Sequence, residues 1–154
     1  MTKHSVLVVI PAKARSTRIP GKNLKDLCGK PMMAYIIETA KSARGVSRVI
    51  VTTESEEIKK VAEQYGAEVP FIRPVELTSD TATSQEVLVH ALDALKAIDG
   101  YEPEYVLLLY PTSPLLSRER IEEAVALAVE RDADSVVSGS YDKGHYWIED
   151  EGAW

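Results

Sequence analysis

The chain has 154 residues, of which 45% are hydrophobic and 27% are charged, a balance typical of one soluble globular domain. The formal net charge of −6 argues against nucleic acid as a partner. No apolar run reaches the length of about 18 residues that a membrane span requires. The first residues lack a signal-peptide cleavage pattern, and a single cysteine, Cys28, excludes an internal disulfide. We therefore expect a cytoplasmic protein without a membrane partner.

Apolar runs alternate with helical patterns along the chain. In order, the predicted elements are a strand at residues 5–10, a helix at 31–43, a strand at 48–52, a helix from Thr53 to Gly66, a strand at 69–72, a helix from Thr83 to about Ile98, a strand at 105–110, a helix capped by Ser117, a strand at 135–138 and an edge strand at 146–148. Thr53 with Glu56, and Thr83 with Glu86, match the capping-box pattern. The alternation predicts an α/β fold, a mostly parallel twisted sheet with helices on both faces, as a single domain over residues 1–154.

Three predicted loops leave the carboxyl ends of strands, at residues 12–30, 73–82 and 110–117, where open α/β sheets bind their ligands. The first loop carries six basic residues and one acidic residue, whereas residues 31–154 carry 11 basic and 23 acidic residues. This concentration of positive charge predicts a site for a small anionic ligand. From charge alone, a merely solvated loop accounts for the pattern equally well.

The first loop reads PAKARSTRIPGKN over residues 11–23, which is neither a P-loop nor a dinucleotide fingerprint. It presents four cations and two hydroxyl groups on a short segment that Pro20 and Gly21 constrain. Such a set suits a triphosphate, because the negative charge of the phosphates must be held while the α-phosphorus is attacked.

Three blocks of this sequence resemble, in the same order, those of the acylneuraminate cytidylyltransferases, the family of CMP-sialic acid synthetases. The blocks are residues 11–23, residues 73–84 (RPVELTSDTATS) and residues 111–115 (PTSPL). The resemblance covers almost the whole chain and implies a fold of the nucleotide-diphosphosugar transferase type. It also implies a reaction: transfer of CMP from CTP to an acidic 2-keto sugar, N-acylneuraminate or a related nonulosonic acid, with release of pyrophosphate.

The resemblance implies roles for individual residues. Lys13 and Lys22 would hold the CTP phosphates and act as the catalytic cations. The other implied contacts are Ala12, Ser16, Asn23, Arg73, Ala82 and Ser84 for the nucleotide, and Tyr110, Thr112 and Ser113 for the sugar. Polar contacts to the edge of the base would separate CTP from UTP. Mg²⁺ is the implied cofactor, although no metal ligand is identifiable in this sequence.

Several features keep alternatives open. Lys13 stands where the family has arginine, and Tyr110 where it commonly has glutamine. Residues 16–22 are more similar to the 3-deoxy-manno-octulosonate cytidylyltransferases, so that sugar, pseudaminic acid and legionaminic acid are alternatives. Family members are longer, with a C-terminal part that supplies a dimerisation arm and a magnesium-binding aspartate pair. A homodimer is expected for the full-length family, and a CTP-binding module without turnover is the alternative for this chain. Glu54, after the second strand, either faces the site or belongs to a helix cap.

Overall fold

Three parallel strands form the centre of the molecule, and the described residues of this computed structural model are 4–16, 19–79 and 81–139. In chain order the elements are β1 (Val6–Pro11), β2 (Asp26–Leu27), β3 (Lys30–Pro31), α1 (Met32–Ser42), β4 (Arg48–Thr52), α2 (Glu56–Gln64), α3 (Ser84–Asp99), β5 (Tyr105–Leu108) and α4 (Arg118–Arg131), with 3-10 helices at Lys22–Leu24 and Val75–Thr78. No helix in these ranges is long and apolar enough to cross a membrane.

The sheet has the strand order β4–β1–β5, and both pairings are parallel. β1 is central, so that Val9 lies between Ile50 of β4 and Leu108 of β5. Parallel neighbours require crossover connections, which the helices between the strands supply. All three strands therefore end at the same edge of the sheet.

Both faces of β1 are buried, which explains why its sequence is a continuous apolar run. Val8 and Ile10 belong to a cluster with buried residues of α1, α2 and α4. Leu7 and Val9 alternate with them and pack with Ala91 of α3 on the opposite face. Helices therefore cover both faces of the sheet, and the predicted α/β class is confirmed.

Two predicted strands are wrong. Residues 69–72 form no strand, since a single parallel bridge joins Ile50 to Glu68 before the chain leaves the sheet. Pro70 lacks the N–H that a continued ladder requires. Residues 135–138 also lack strand structure. Ser135 and Val136 line a cavity of about 290 Å³ together with residues of β5 and α4, and Val137 is 88% exposed. The predicted edge strand at 146–148 lies outside the described residues.

Of the two predicted capping boxes, one is confirmed and one is wrong. α3 begins with the predicted capping box of Thr83 and Glu86, and both of its hydrogen bonds are present. For α2, Ser55 is the N-cap, and its hydroxyl accepts from the N–H of Ile58. The Thr53 hydroxyl instead accepts from the N–H of Ser55. The capping box expected at Thr53 is wrong because a second hydroxyl lies nearer the first helical turn.

The loop at residues 12–30 has more structure than predicted. After the first 3-10 helix, β2 and β3 pair as a small antiparallel hairpin. Cys28 and Gly29 form its turn with positive φ values of 51° and 95°. The hairpin leads directly into α1, within one residue of the predicted helix start at Pro31.

Candidate functional site

A cleft of about 190 Å³ lies at the carboxyl edge of the sheet. The three loops predicted to meet there all contribute to its wall. The site residues predicted from the sequence that line this cleft are Lys13, Lys22, Asn23, Arg73, Ala82, Ser84, Tyr110 and Thr112. The cleft is smaller than the roughly 300–1,000 Å³ typical of ligand pockets, so a nucleotide bound here would extend beyond it.

Three predicted residues lie elsewhere. Ala12 is fully buried in the core, and its N–H donates to the carbonyl of Thr52 at 3.0 Å. Its side chain therefore packs the fold and does not face the cleft. Ser16 and Ser113 are not part of the cleft wall. Ser113 instead closes a turn through the bond from its N–H to the carbonyl of Tyr110, at 3.0 Å.

Lys13 enters the cleft from a peptide that is held on both sides. The side-chain nitrogen Nδ2 of Asn23 donates to the Lys13 carbonyl at 2.9 Å. The N–H of Ala14 donates to Oε1 of Glu54 at 2.7 Å. Further out, Nζ of Lys13 donates to the carbonyl of Thr78 at 3.4 Å. Asn23 was expected to contact nucleotide, and its amide nitrogen is already engaged by the protein.

Lys22 reaches the cleft from the first 3-10 helix. Gly21 precedes it in the left-handed region, with φ of 63°, where a residue with a Cβ atom is strained. The Lys22 N–H donates to the carbonyl of Ile19 at 3.2 Å and so tightens the turn. Among the described residues, Lys22 forms no ion pair, so its charge is directed at the cleft and solvent.

Arg73 is a buried cation in the wall of the cleft, only 3% exposed. Its Nη2 donates to Oε2 of Glu54 at 3.2 Å, and its N–H donates to the carbonyl of Thr53 at 2.8 Å. Burial lowers the pKa of the Arg73 guanidinium, and the charge and hydrogen bond of Glu54 oppose that shift. Nε of Arg73 is buried and has no hydrogen-bond partner in the described part of the chain.

The opposite wall is the start of α3. The Glu86 carboxylate accepts from both the N–H and the hydroxyl of Thr83, at 2.7 and 2.8 Å. The Thr83 N–H is the main cause of a lowered pKa for Glu86. Next to this cap, the hydroxyls of Ser84 and Tyr110 lie 2.7 Å apart, which ties the third loop to α3. The cleft wall formed by Thr83, Ser84 and Tyr110 is therefore polar and carries hydroxyl groups, in contrast to the lysine wall.

Magnesium ligands are not evident in this site. Over residues 4–16, 19–79 and 81–139, no group of three or more His, Cys, Asp or Glu side chains could hold a metal ion. Glu54, the acidic residue bonded to the cleft wall, already accepts from Ala14 and Arg73. Asp80 lies outside the described residues. The described residues alone do not fit a Mg²⁺ site, and Mg²⁺ remains a prediction from the resemblance.

Glu54 is the residue whose importance the sequence left undecided. It follows β4 at the same sheet edge as the three loops, and that position was the available signal. Its place near the start of α2 favoured a capping role equally. The structure assigns it to the site, because its two carboxylate oxygens bind the first loop and Arg73.

The fold and cleft define a nucleotidyltransferase-type α/β protein. The structure superimposes on that of a CMP-2-keto-3-deoxy-manno-octonic acid synthetase solved in complex with CTP, with a TM-score of 0.71 and 24% identity, over 84% of this chain and 49% of that one. The sequence profile described as cytidylyltransferase matches residues 7–145. The chain belongs to the cytidylyltransferase family, as its motifs predicted.

Two curated relatives carry sugar names. The chain is 40% identical to the CMP-N,N′-diacetyllegionaminic acid synthase of Legionella pneumophila over 122 aligned residues. The alignment covers 79% of this chain and 52% of the synthase. The chain is also 39% identical to the N-acylneuraminate cytidylyltransferase of Escherichia coli over 125 aligned residues. This alignment covers 81% of this chain and 28% of the Escherichia coli protein. The chain thus spans about half the length of the first relative and less of the second.

Proposed function

We propose that this chain is the CTP-binding part of an enzyme that transfers CMP from CTP to an acidic 2-keto sugar of the nonulosonic type and releases pyrophosphate. The observation that carries the proposal is the convergence of Lys13 and Lys22 with the polar start of α3 in one cleft at the carboxyl edge of the sheet. Membership of the cytidylyltransferase family specifies which nucleotide chemistry that cleft serves.

The charges of the two walls favour one orientation of CTP. Lys13 and Lys22 attract the triphosphate to the wall formed by the first loop. Among the described residues, the wall at the start of α3 presents the hydroxyl groups of Thr83 and Ser84 and no cation, which leaves that wall to the uncharged base. Hydroxyl groups of the α3 wall, such as that of Ser84, can donate to or accept from the base edge.

In the proposed reaction a sugar hydroxyl oxygen attacks the α-phosphorus of CTP. The new oxygen–phosphorus bond joins the sugar to CMP, and the hydroxyl proton passes to water. The bond from the α-phosphorus to its bridging oxygen breaks, and pyrophosphate takes the electron pair. Lys13 and Lys22 stabilise the charge that grows on the departing phosphates. Mg²⁺, which the resemblance implies, would supply further charge neutralisation when bound.

The sugar assignment rests on the names of the relatives and on the third loop. The relatives at 40% and 39% identity act, by name, on a diacetyllegionaminic acid and an N-acylneuraminate, which favours a nonulosonic acid over an octulosonic acid. Tyr110, Thr112 and Ser113 supply hydroxyls near the cleft for that sugar. We also propose, from the resemblance, a homodimeric full-length enzyme in the cytoplasm.

Calorimetric titration with CTP, UTP and ATP tests the nucleotide assignment. We expect CTP to bind at least about ten times more tightly than the other two, a difference of about 1.4 kcal/mol. Ser84→Ala should reduce the difference between CTP and UTP, whereas the matched variant Ser42→Ala, exposed on α1, should leave it unchanged. Equal affinity for the three nucleotides would contradict a cytosine-selective site.

A further inference from the structure

Both polar groups of one peptide bond in the first loop are held by buried or partly buried side chains. The carbonyl of Lys13 accepts from Asn23 at 2.9 Å, and the N–H of Ala14 donates to Glu54 at 2.7 Å. These two groups belong to the same planar unit, so the two contacts fix its orientation. The direction in which the Lys13 side chain leaves the backbone is fixed with it.

The carboxylate of Glu54 makes a second contact, on the other side of the cleft wall. Its Oε1 accepts from Ala14 of the first loop, and its Oε2 accepts from Arg73 of the second loop at 3.2 Å. Glu54 is itself largely buried, with its side chain 16% exposed, and the Arg73 side chain is 3% exposed. One carboxylate therefore connects the loop that carries the phosphate-binding cations with the buried cation beside the predicted base site.

We propose that Glu54 is a positioning residue of this site, which sets the place of Lys13 and of Arg73 together without touching the nucleotide. This inference rests on the proposed function, since it is CTP whose two ends these groups would hold. It adds to that function a residue through which the phosphate half and the base half of the site are coupled.

The chemistry of both contacts requires a carboxylate. A carboxylate offers two accepting oxygens, one for the Ala14 N–H and one for the Arg73 guanidinium. Glutamine offers one accepting oxygen, and its NH₂ group would face a donor at the other contact. A buried guanidinium that loses its counter-charge is also strongly destabilised. Glu54→Gln therefore disturbs both loops while changing the side-chain volume very little.

The test is titration of wild-type chain and of Glu54→Gln with CTP, cytidine and inorganic tripolyphosphate. We expect Glu54→Gln to weaken cytidine and tripolyphosphate binding about tenfold each, and CTP binding by more. The matched control, Glu63→Gln on the exposed surface of α2, should change none of them more than about twofold. In the background of Arg73→Met, Glu54→Gln should still weaken tripolyphosphate but no longer weaken cytidine, because the Ala14 contact is then the only one it removes.

Hydrogen exchange of the ligand-free protein separates positioning from general stability. Glu54→Gln should speed exchange of the Ala14 amide at least tenfold and leave the amides of Val9 and Ile10 in β1 unchanged. Equal acceleration at all three amides would assign Glu54 to the stability of the fold and overturn the inference. Unchanged binding of all three ligands by Glu54→Gln would also overturn the inference. In that case, selectivity of the wild-type chain for CTP would still support the proposed function.

Two further outcomes are decisive. A wild-type chain that does not bind CTP would overturn the inference and the proposed function together. If Glu54→Gln does not fold, Glu54→Asp carries the same test, because it keeps the charge but is one methylene too short to reach both partners. We expect Glu54→Asp to weaken cytidine or tripolyphosphate at least fivefold, and unchanged binding of both would overturn the inference.

Discussion

Lys13 and Lys22 face the same cleft but are anchored in different ways. The peptide bond that follows Lys13 is held by Asn23 and Glu54. The side-chain Nζ of Lys13 donates to the carbonyl of Thr78. Lys22 extends from a short 3-10 turn, and within the described ranges its side chain forms no ion pair. Replacing Lys22 therefore removes a positive charge without breaking a described side-chain contact. It is the cleaner probe of phosphate binding.

We predict that Lys22→Ala weakens CTP binding about tenfold, the effect of losing about 1.4 kcal/mol, and weakens cytidine binding less than about twofold. The reason is that the ammonium group interacts with phosphate, whereas cytidine carries none. Titration calorimetry with both ligands measures the two losses. Lys25→Ala, an exposed cation of the same loop, is the control and should leave both affinities near the wild-type values. An equal loss for CTP and cytidine would assign Lys22 to the fold of the loop.

At the scale of residues, the sequence predicted the members of the cleft better than their contacts. Eight of the predicted residues line it, because the carboxyl ends of parallel strands meet at one edge of a sheet. The side chain of Ala12 lies in the core and not in the cleft wall. The strand pattern alone does not reveal where the chain leaves the core. Glu54 was left undecided because a carboxylate near a helix start has two ordinary uses, capping and ion pairing.

The helices α3 and α4 both begin at hydroxyl residues, but the roles of these two residues differ. Thr83 starts α3 with a complete capping box, in which its hydroxyl accepts from the N–H of Glu86 at 3.2 Å. Ser117 precedes α4, but its side chain forms no capping bond to the backbone. Thr83 should therefore contribute more to stability than Ser117, although both were predicted as helix caps, Thr83 with a capping box and Ser117 as an N-cap residue alone.

We predict that Thr83→Ala lowers the free energy of unfolding by about 1 kcal/mol, the usual cost of losing an N-cap side chain. Ser117→Ala serves as the matched control and should cost less than half as much. Chemical denaturation of both variants provides the measurement. A loss for Ser117→Ala as large as that for Thr83→Ala would show that the capping box adds nothing to α3.

The same cap has a defined pH dependence. The hydrogen bonds from Thr83 lower the pKa of Glu86 below its ordinary value of 4.5. The folded state therefore binds this proton less readily than the unfolded state, and the stabilisation is present above pH 4.5 and lost as the pH falls further. The difference in stability between wild type and Glu86→Gln should be present at pH 7 and should shrink below pH 4.5.

At the scale of elements, hydrophobic periodicity predicted the helices and the three strands of the sheet. It did not predict which apolar segments pair with a neighbouring strand. Residues 69–72 and 135–138 have strand-like composition, yet a strand exists only where a neighbour accepts its hydrogen bonds. Pro70 interrupts the first, and the second runs beside a cavity without pairing with β5. The small hairpin of β2 and β3 was missed because each strand has two residues.

At the scale of the whole molecule, the proposed nucleotide site and the expected Mg²⁺ site differ in what the described residues supply. Cations and hydroxyls converge from three loops on one cleft. Across the described ranges no group of three or more metal-binding side chains occurs. The chain also spans about half the length of the Legionella pneumophila relative. CTP binding and turnover by this chain are therefore tested as separate parts of the proposed function.

We predict that the 154-residue chain on its own, if it is a fragment, binds CTP but releases pyrophosphate at no more than about one hundredth of the rate of the Legionella pneumophila relative under the same conditions. The loss of one stabiliser of transition-state charge typically costs about 10²–10³ in rate. In the proposed function the lysines bind the phosphates in the ground state, whereas acceleration requires interactions that strengthen in the transition state. The measurement is pyrophosphate release with CTP, Mg²⁺ and a panel of sialic, legionaminic, pseudaminic and octulosonic acids. A sample whose intact mass matches 154 residues is compared with the relative, and Lys22→Ala serves as a binding-deficient control. Turnover by this sample at a rate similar to that of the relative would show that the groups needed for reaction lie within these 154 residues, and the sugar giving that turnover would identify the substrate.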